Sequence, residues 1–424
     1  MNIPVNPIGV PPEDPKEKKA KKEKPAEKIR PNTPDNANKK LTPKQKMQIK
    51  IRRVKEKQPK QPILLGGTAL LLALFFAVGN LFTPAAVPYT SKAPKSDLQF
   101  TFLGDIMLGR YIQSDGEKNG YEKFYADVKD TWKNSDFVFA NLEATVFTKK
   151  NANYKPLDKN IHISTDTHAV ASMMDAGINA ISVANNHSCD YGKKAFEKEI
   201  KWFEKKNLAY SGKIDKEAYA ASKATVTEAT PETEQYKPYT QLTANGKKIG
   251  FIAVADKYPK EAVKFGMLTT ADSDLNNYIN ESALENDITI VYAHWGEEYQ
   301  KTVSTRQKEL AHQFIDAGAD IVIGCHPHVL QNIEQYNDGM IFYSLGNFIM
   351  DQNNTFTCDS AIVQYRENAD GNKSFELIPV RINNGRPFIT ANSAYKLRIQ
   401  MTLMSGFDSS KYEITDSGSI IINY

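Results

Sequence analysis

Apolar residues along much of this chain fall in short, β-rich runs that stop abruptly at polar clusters. Leu98–Leu103 (LQFTFL) stops at Gly104-Asp105, Phe137–Ala140 (FVFA) at Asn141-Leu142-Glu143, and Ala180–Ala184 (AISVA) at Asn185-Asn186-His187. Further on, Ile288–Ala293 (ITIVYA) stops at His294-Trp295-Gly296, and Ile321–Ile323 stops at Gly324-Cys325-His326-Pro327-His328. Ile341–Tyr343 ends in Ser344-Leu345-Gly346-Asn347. Runs that are apolar on both faces suit sheets covered on both sides. Between them the period is helical: Phe196, Ile200 and Phe203 recur at i, i+4 and i+7. Segments 165–176 and 307–317 read the same way and stop at Gly177 and Gly318, which suit helix C-termini. Alternating strands and helices predict an α/β layered fold. Three strand-like runs after residue 353 (360–365, 375–380 and 418–422) are expected to complete a second sheet, and the polar stretch 218–237 is expected to be an exposed loop.

Two segments before this pattern differ from it. From Pro62 the chain reads PILLGGTALLLALFFAVGNL, and no charge occurs from Gln61 through Ser91. Twenty residues rising about 1.5 Å each span roughly 30 Å, the hydrocarbon thickness of a bilayer. Arg52, Arg53, Lys55, Lys57 and Lys60 flank its N-terminal side, which the positive-inside rule keeps cytoplasmic. A cleaved signal peptide does not have so long an n-region or h-region. Residues 62–82 are therefore predicted to be a signal anchor. Residues 1–61 are lysine- and proline-rich and are predicted to be a disordered cytoplasmic tail, because they hold too little apolar surface to offset their ordering entropy. Residues 83–96 form a Pro/Ala/Ser linker, 97–352 the main domain, and 353–424 the C-terminal strands of an extracellular part.

Composition changes that picture in two ways. Among 424 residues, 41% are hydrophobic and 25% charged, so a sizeable core is possible. The net charge of +4 is unevenly spread. Residues 1–61 carry 18 Lys/Arg against 7 Asp/Glu, whereas residues 62–424 carry 36 against 43, a net of −7. The folded part is slightly acidic, which argues against a nucleic-acid partner. Three cysteines exclude a disulfide-stapled scaffold and a four-thiolate zinc module.

The polar clusters carry the candidate chemistry. In open α/β sheets ligands gather beyond the carboxyl ends of the strands, and Asp105, Glu143, Asn186, His187, His294, His326 and His328 all stand there. Imidazole, carboxylate and amide oxygen form a mixed N/O donor set that suits Mn, Zn or Fe rather than Ca or Mg. His326 and His328 either meet on one metal through a turn at Pro327 or serve two adjacent metals. His187, next to Asn186, is a candidate general acid or electrostatic stabiliser. Arg110 is a candidate bidentate clamp for a phosphate or carboxylate, with an ordinary ion pair as its alternative. His162, His168 and His312 are read as structural or solvent-exposed. Cys189 and Cys325 are bystanders, weak ligands or a disulfide.

The motifs GDIMLGR (104–110), NLE (141–143), ANNHSCDYG (184–192), HWGEEY (294–299), GADIVIGCHPHVLQ (318–331) and IFYSLGNF (341–348) resemble the CapA family. These are bacterial capsule-synthesis proteins associated with poly-γ-glutamate, and an N-terminal membrane anchor is common in their Gram-positive members. The family is in turn similar to the calcineurin-like metallophosphoesterases. That resemblance implies a four-layer α/β/β/α sandwich with one or two divalent metals at the strand ends. It places Asp105 as the first aspartate, Glu143 as the bridging carboxylate, Asn186-His187 as the asparagine–histidine pair, His294 as the isolated histidine and His326/His328 as the final pair. Met107, Glu143 and Ser188 depart from that pattern, where histidine, aspartate and an acidic residue are usual. The implied function is a membrane-anchored extracellular component of poly-γ-glutamate capsule synthesis, with the polymer or its precursor, the membrane and other synthase subunits as partners. The alternatives are a metal-dependent hydrolase of a phosphoester or γ-glutamyl linkage, and a non-catalytic scaffold.

Overall fold

The computed structural model describes residues 46–47, 89–91, 93, 96–148, 153–225 and 236–424. The predicted anchor 62–82 and nearly all of the predicted tail lie outside the described residues. Among the described residues no helix is long and apolar enough to cross a membrane. Of the predicted linker, Tyr89 and Ser91 both donate hydrogen bonds to the buried carboxylate of Glu376.

The strand endings picked out above are real strand ends. They belong to β1 (Leu98–Ile106), β2 (Phe137–Leu142), β3 (Ala180–Ser182), β4 (Ile288–His294), β5 (Ile321–Cys325) and the strand Gly339–Phe342, after which Asn347 opens a further short strand, β6 (Asn347–Ile349). In the first sheet β1, β2, β3 and Ala209–Ser211 run parallel, and β6 also pairs parallel with β1. Asp359–Glu367, Lys373–Asn383, Ile420–Asn423 and Tyr412–Ile414 extend that sheet antiparallel from the other side of β1. The second sheet places Gly339–Phe342, β5, β4 and Lys247–Ala255 in parallel, with an antiparallel strand at each edge.

The C-terminal strands thus widen the first sheet rather than completing the second. The reason is a long-range pairing that spacing does not reveal: Leu98–Phe102 pairs with Val363–Glu367. The polar stretch expected to be a loop begins instead as the helix Lys216–Thr225, whose Tyr219 ring meets Tyr278 edge-on at 5.0 Å.

Alternation along the second sheet shows how the layers stack. Ile288, Ile290 and Tyr292 of β4 face the core between the sheets, whereas Val291 and Ala293 face an outer cluster. That outer cluster holds Tyr278 and Ile279 from the helix Leu275–Glu285, and Leu310 and Phe314 from the helix Thr305–Asp316. The second helix starts at a capping box formed by Ser304 and Gln307, and the chain leaves it through Gly318 at φ +108°. On the first sheet, Thr167–Asp175 and Gly192–Lys206 bury Val170, Met173, Phe196 and Phe203 in the main core. Helices therefore cover both outer faces of a sheet-on-sheet sandwich, consistent with a metallophosphoesterase-like fold.

Aromatic rings lock the two sheets together. Phe139 of β2 lies 5.3 Å from Phe102, 5.1 Å from Phe251 and 6.4 Å from Tyr292 by ring centroids. The Tyr292 hydroxyl sits between the Leu103 and Phe139 carbonyls, at 3.0 and 3.1 Å. That contact aligns the carboxyl ends of β1 and β2 with those of β4 and β5. Phe139→Ala should cost about 3–5 kcal/mol of unfolding free energy, read as a lowered denaturant midpoint. A loss below about 1 kcal/mol would mean that the sheets are not held at this point.

Candidate metal centre

Strand register assembles the site. Asp105 of β1 stands beside Asn141 of β2 on one side and Asn347 of β6 on the other. In the second sheet His294 stands beside Cys325, one residue before His326. Asn141 ties the sheets together: its Nδ2 donates to Asp105 Oδ1 at 2.8 Å and lies 3.3 Å from His294 Nδ1. Asn185 holds Asn141 in turn, donating to its Oδ1 at 3.1 Å, and accepts from the His187 and Ser188 backbone N–H groups. A close backbone approach sets the spacing at β1. A Cβ on Gly104 would fall 2.0 Å from the Gly346 carbonyl oxygen, so only glycine fits.

His326 and His328 both have positive φ, +94° and +57°. Strain of this kind costs of order 1–3 kcal/mol per residue and persists where surrounding structure enforces it. Two hydrogen bonds hold this turn. The His326 N–H donates to Asp105 Oδ2 at 3.2 Å, and Tyr299 N–H to the Pro327 carbonyl at 2.8 Å. The turn separates the two imidazoles, whose centroids lie 6.0 Å apart.

The donor atoms fall into overlapping groups. Glu143, His294 and His326 each place one ligand atom within 4.8 Å of the others, and so do Asp105, Glu143 and His328. Glu143 belongs to both, so it lies where one carboxylate faces two positions. His294 Nε2 also meets Asn186 Oδ1 at 3.0 Å. The Glu143 Oε1 atom lies 4.0 Å from His294 Nε2 and 3.7 Å from His328 Nε2. These separations are too long for hydrogen bonds but natural for ligands about 2 Å from a shared ion.

Electrostatics point the same way. Both Glu143 oxygens and His326 Nδ1 are buried without a hydrogen-bond partner among the described residues. Burial pushes the Glu143 carboxyl up to about 8, with His328 opposing the rise. Burial and then His328 lower His326 to about 4; burial and the neighbouring imidazoles hold His294 well below its ordinary value. Burial opposes the charge on His328, but the Glu143 and Asp105 carboxylates outweigh it and raise that group to about 9. Two imidazoles are thus neutral, the form that coordinates. A buried carboxyl group with no hydrogen-bond partner beside neutral imidazoles is a costly arrangement for a metal-free interior, and these residues fit a divalent cation.

The remaining predicted residues lie around this cluster. His187 Nδ1 is 2.7 Å from Asp190 Oδ2, and Lys159 Nζ bonds Asp190 Oδ1 at 2.6 Å and the Asn186 carbonyl at 2.7 Å. His187 Nε2 has no hydrogen bond among the described residues. Arg110 makes an ion pair with Asp351. Cys189 and Cys325 are buried and free, as is Cys358. His312 stacks on Tyr336 at 3.7 Å and bonds Glu334, away from the cluster. His162 bonds the Leu157 carbonyl, and His168 meets Tyr121 edge-on.

Several partners of these residues carry no signal of their own in the sequence. Asn141, Asn185, Asp190, Glu298 and Asn347 stand inside the quoted motifs, but nothing in their spacing singles them out. Glu298 forms a third group with His326 and His328, and Asn347 Oδ1 meets His328 Nδ1 at 2.9 Å. Lys159 stands outside every motif, so nothing local marks it.

Comparison with known proteins fits this geometry. Residues 99–352, which span the whole cluster, match the family described as bacterial capsule synthesis protein PGA_cap. The chain is 32% identical over 380 residues to the capsule biosynthesis protein CapA of Bacillus anthracis, covering 88% of each. It is 35% identical over 322 residues to the PGA biosynthesis protein CapA of Bacillus subtilis (strain 168), covering 75% of this chain and 79% of the relative. A probable polyglutamine synthesis accessory protein of Mycobacterium tuberculosis is 22% identical over 261 residues, covering 59% and 67%.

A cation held at Glu143 has a measurable signature. Wild-type protein should gain thermal stability on addition of Mn or Zn, by about 2.7 kcal/mol at a hundredfold excess over Kd. Glu143→Gln and His294→Ala should lose that gain and their bound metal by elemental analysis. In chelator, Glu143→Gln should be at least as stable as wild type, because it removes a buried carboxyl group whose oxygens have no hydrogen-bond partner among the described residues. Metal-free Glu143→Gln that is clearly less stable would show that the carboxylate has a structural partner.

Proposed function

The chain belongs to the CapA family of bacterial capsule synthesis proteins, and from that membership we propose that it is a membrane-anchored, outward-facing component of poly-γ-glutamate capsule synthesis. It acts in assembly, export or attachment of the polymer, with the polymer or its precursor and other synthase subunits as partners. The observation that carries this reading is identity of 32–35% over most of the chain to two proteins whose names state capsule or PGA biosynthesis. The outward orientation rests on the uncharged segment 62–82 and the basic residues before it.

The cluster adds a metal-dependent element. Asp105, Glu143 and His328 would hold one divalent cation, and Glu143, Asn186, His294 and His326 another; the N/O donor set suits Mn, Zn or Fe. When bound, such a cation supplies Lewis-acid polarisation of a carbonyl or phosphoryl oxygen and acidifies water. The chain's own residues do the positioning: Asn141 orients Asp105, Asn347 orients His328, and Lys159 with Asp190 fixes His187. A second reading, metal-dependent hydrolysis of a phosphoester or γ-glutamyl bond, is favoured by His187. Its Nδ1 is anchored on Asp190 and its Nε2 is left to exchange a proton with a leaving group.

Deleting the gene should abolish surface polymer, and re-expression should restore it, measured as cell-bound poly-γ-glutamate. A folded, correctly expressed Asp105→Ala/His328→Ala chain should fail to restore it. Full restoration would leave the domain a scaffold whose cluster is dispensable, and an unchanged capsule after deletion would remove the capsule role itself.

A further inference from the structure

A polyanionic ligand and a folded part carrying 36 basic against 43 acidic residues repel each other overall. Contact therefore needs a local reversal of charge, and one lies beside the metal cluster. Asp359, almost fully buried, receives Arg398 through two parallel bonds, Nε to Oδ2 and Nη2 to Oδ1, both 2.7 Å. Arg381 Nη1 bonds the same Oδ1 at 2.6 Å and the Thr355 carbonyl at 2.8 Å. Both guanidinium groups pack over Tyr395, at 4.4 Å for Arg381 and 5.2 Å for Arg398. Lys301 arrives from the loop after β4 and lies over the Phe356 ring, which Arg398 approaches from 5.8 Å.

Charge does not balance here. Three cations face one carboxylate, and the side chains of Arg381 and Arg398 are only 11% and 16% exposed. Lys301 makes no ion pair among the described residues. Two acidic side chains of the adjoining segments are paired elsewhere: Asp351 with Arg110 and Glu297 with Lys257. Partly desolvated positive charge in excess is costly unless an anion completes it. The unused guanidinium N–H groups and the Lys301 ammonium match a carboxylate. Phe356, 42% exposed, adds an apolar surface for a methylene chain.

The patch adjoins the metal cluster through short connections. Asn347 Nδ2 donates to the Thr357 carbonyl, next to Phe356, while its Oδ1 meets His328. Gln352 links Asn347 to the Tyr299 hydroxyl, and the Tyr299 ring lies 6.2 Å from that of His328, two residues before Lys301.

We infer that Lys301, Arg381 and Arg398, set around Phe356 and Asp359, form a carboxylate-binding site that seats an acidic polymer against the edge of the metal cluster. This rests on the capsule reading for the identity of the polymer, but the site itself follows from the charge imbalance. A chain with a carboxylate on every repeat engages the patch at several points, so it binds far more tightly than its monomer.

The test measures binding rather than capsule. Full-length protein in detergent, with chelator present so that no cation bridges the partners, is titrated against fluorescently labelled poly-γ-glutamate and separately against free glutamate. Wild type should bind the polymer in a salt-sensitive way and free glutamate only weakly. Lys301→Glu, an exposed change that leaves the Asp359 pairs intact, should weaken polymer binding about ten-fold or more, and Arg398→Gln similarly. Arg386→Ala, which removes an exposed pair with Asp127, should bind as wild type. Wild-type affinity in both Lys301→Glu and folded Arg398→Gln, or no polymer binding by wild type, would overturn the site. Equal affinity for polymer and monomer would overturn its fit to a chain. If gene deletion leaves the capsule intact while this binding holds, the capsule reading fails and the site stands.

Discussion

Glu143 is buried with neither oxygen hydrogen-bonded among the described residues, and the surroundings of the site are organised around that liability. A carboxylate in an apolar interior shifts its proton affinity upward or finds a compensating cation. Here His328 is the imidazole that opposes the charge on Glu143, and it sits, like His326, on left-handed backbone, a feature that costs energy without improving packing. A fold selected for stability alone would place a leucine or glutamine at 143. Retaining the carboxylate means that stability has been exchanged for the ability to hold charge at the junction of two sheets.

That junction exists because the two sheets are joined by aromatic packing directly beneath it. Phe102, Phe139, Phe251 and Tyr292 form a continuous layer, and the Tyr292 hydroxyl reaches across to carbonyls of β1 and β2. Polar residues one step further along the strands then meet without any loop needing to travel far. Loop-borne ligands are less rigid than ligands at strand ends. Only Glu143, Asn186, His326 and His328 sit past their strands, and backbone N–H groups donating to Asp105, Asn185 and Pro327 restrain the turns near them.

Much of this was readable in the amino-acid order, and the failures have physical causes. Strand ends were legible because β-rich runs broke at polar residues, and the helices 192–206 and 305–316 because their apolar spacing and glycine or asparagine exits are local signals. Asn141 and Asn347 were not, because an asparagine inside a motif reads equally as a turn residue. Only the register of β1 with β2 and β6 shows that both side chains face Asp105. The placement of Asp359–Glu367 beside β1 depends on partners more than 250 positions apart, and the helix at 216–225 depends on Tyr278, a tertiary contact. Lys159 illustrates the limit: its role is set by where an excursion between strands comes to rest.

The contact between Gly104 and the Gly346 carbonyl acts as a ruler for the ligands on either side of it. Asp105 and Asn347 are the next residues along each strand, so the gap between those two backbones fixes how far the carboxylate stands from the residue that steers His328. Even one methyl group at 104 would spread that gap. The first thing to move would be the distance from Asp105 to the Asn347–His328 pair across that gap.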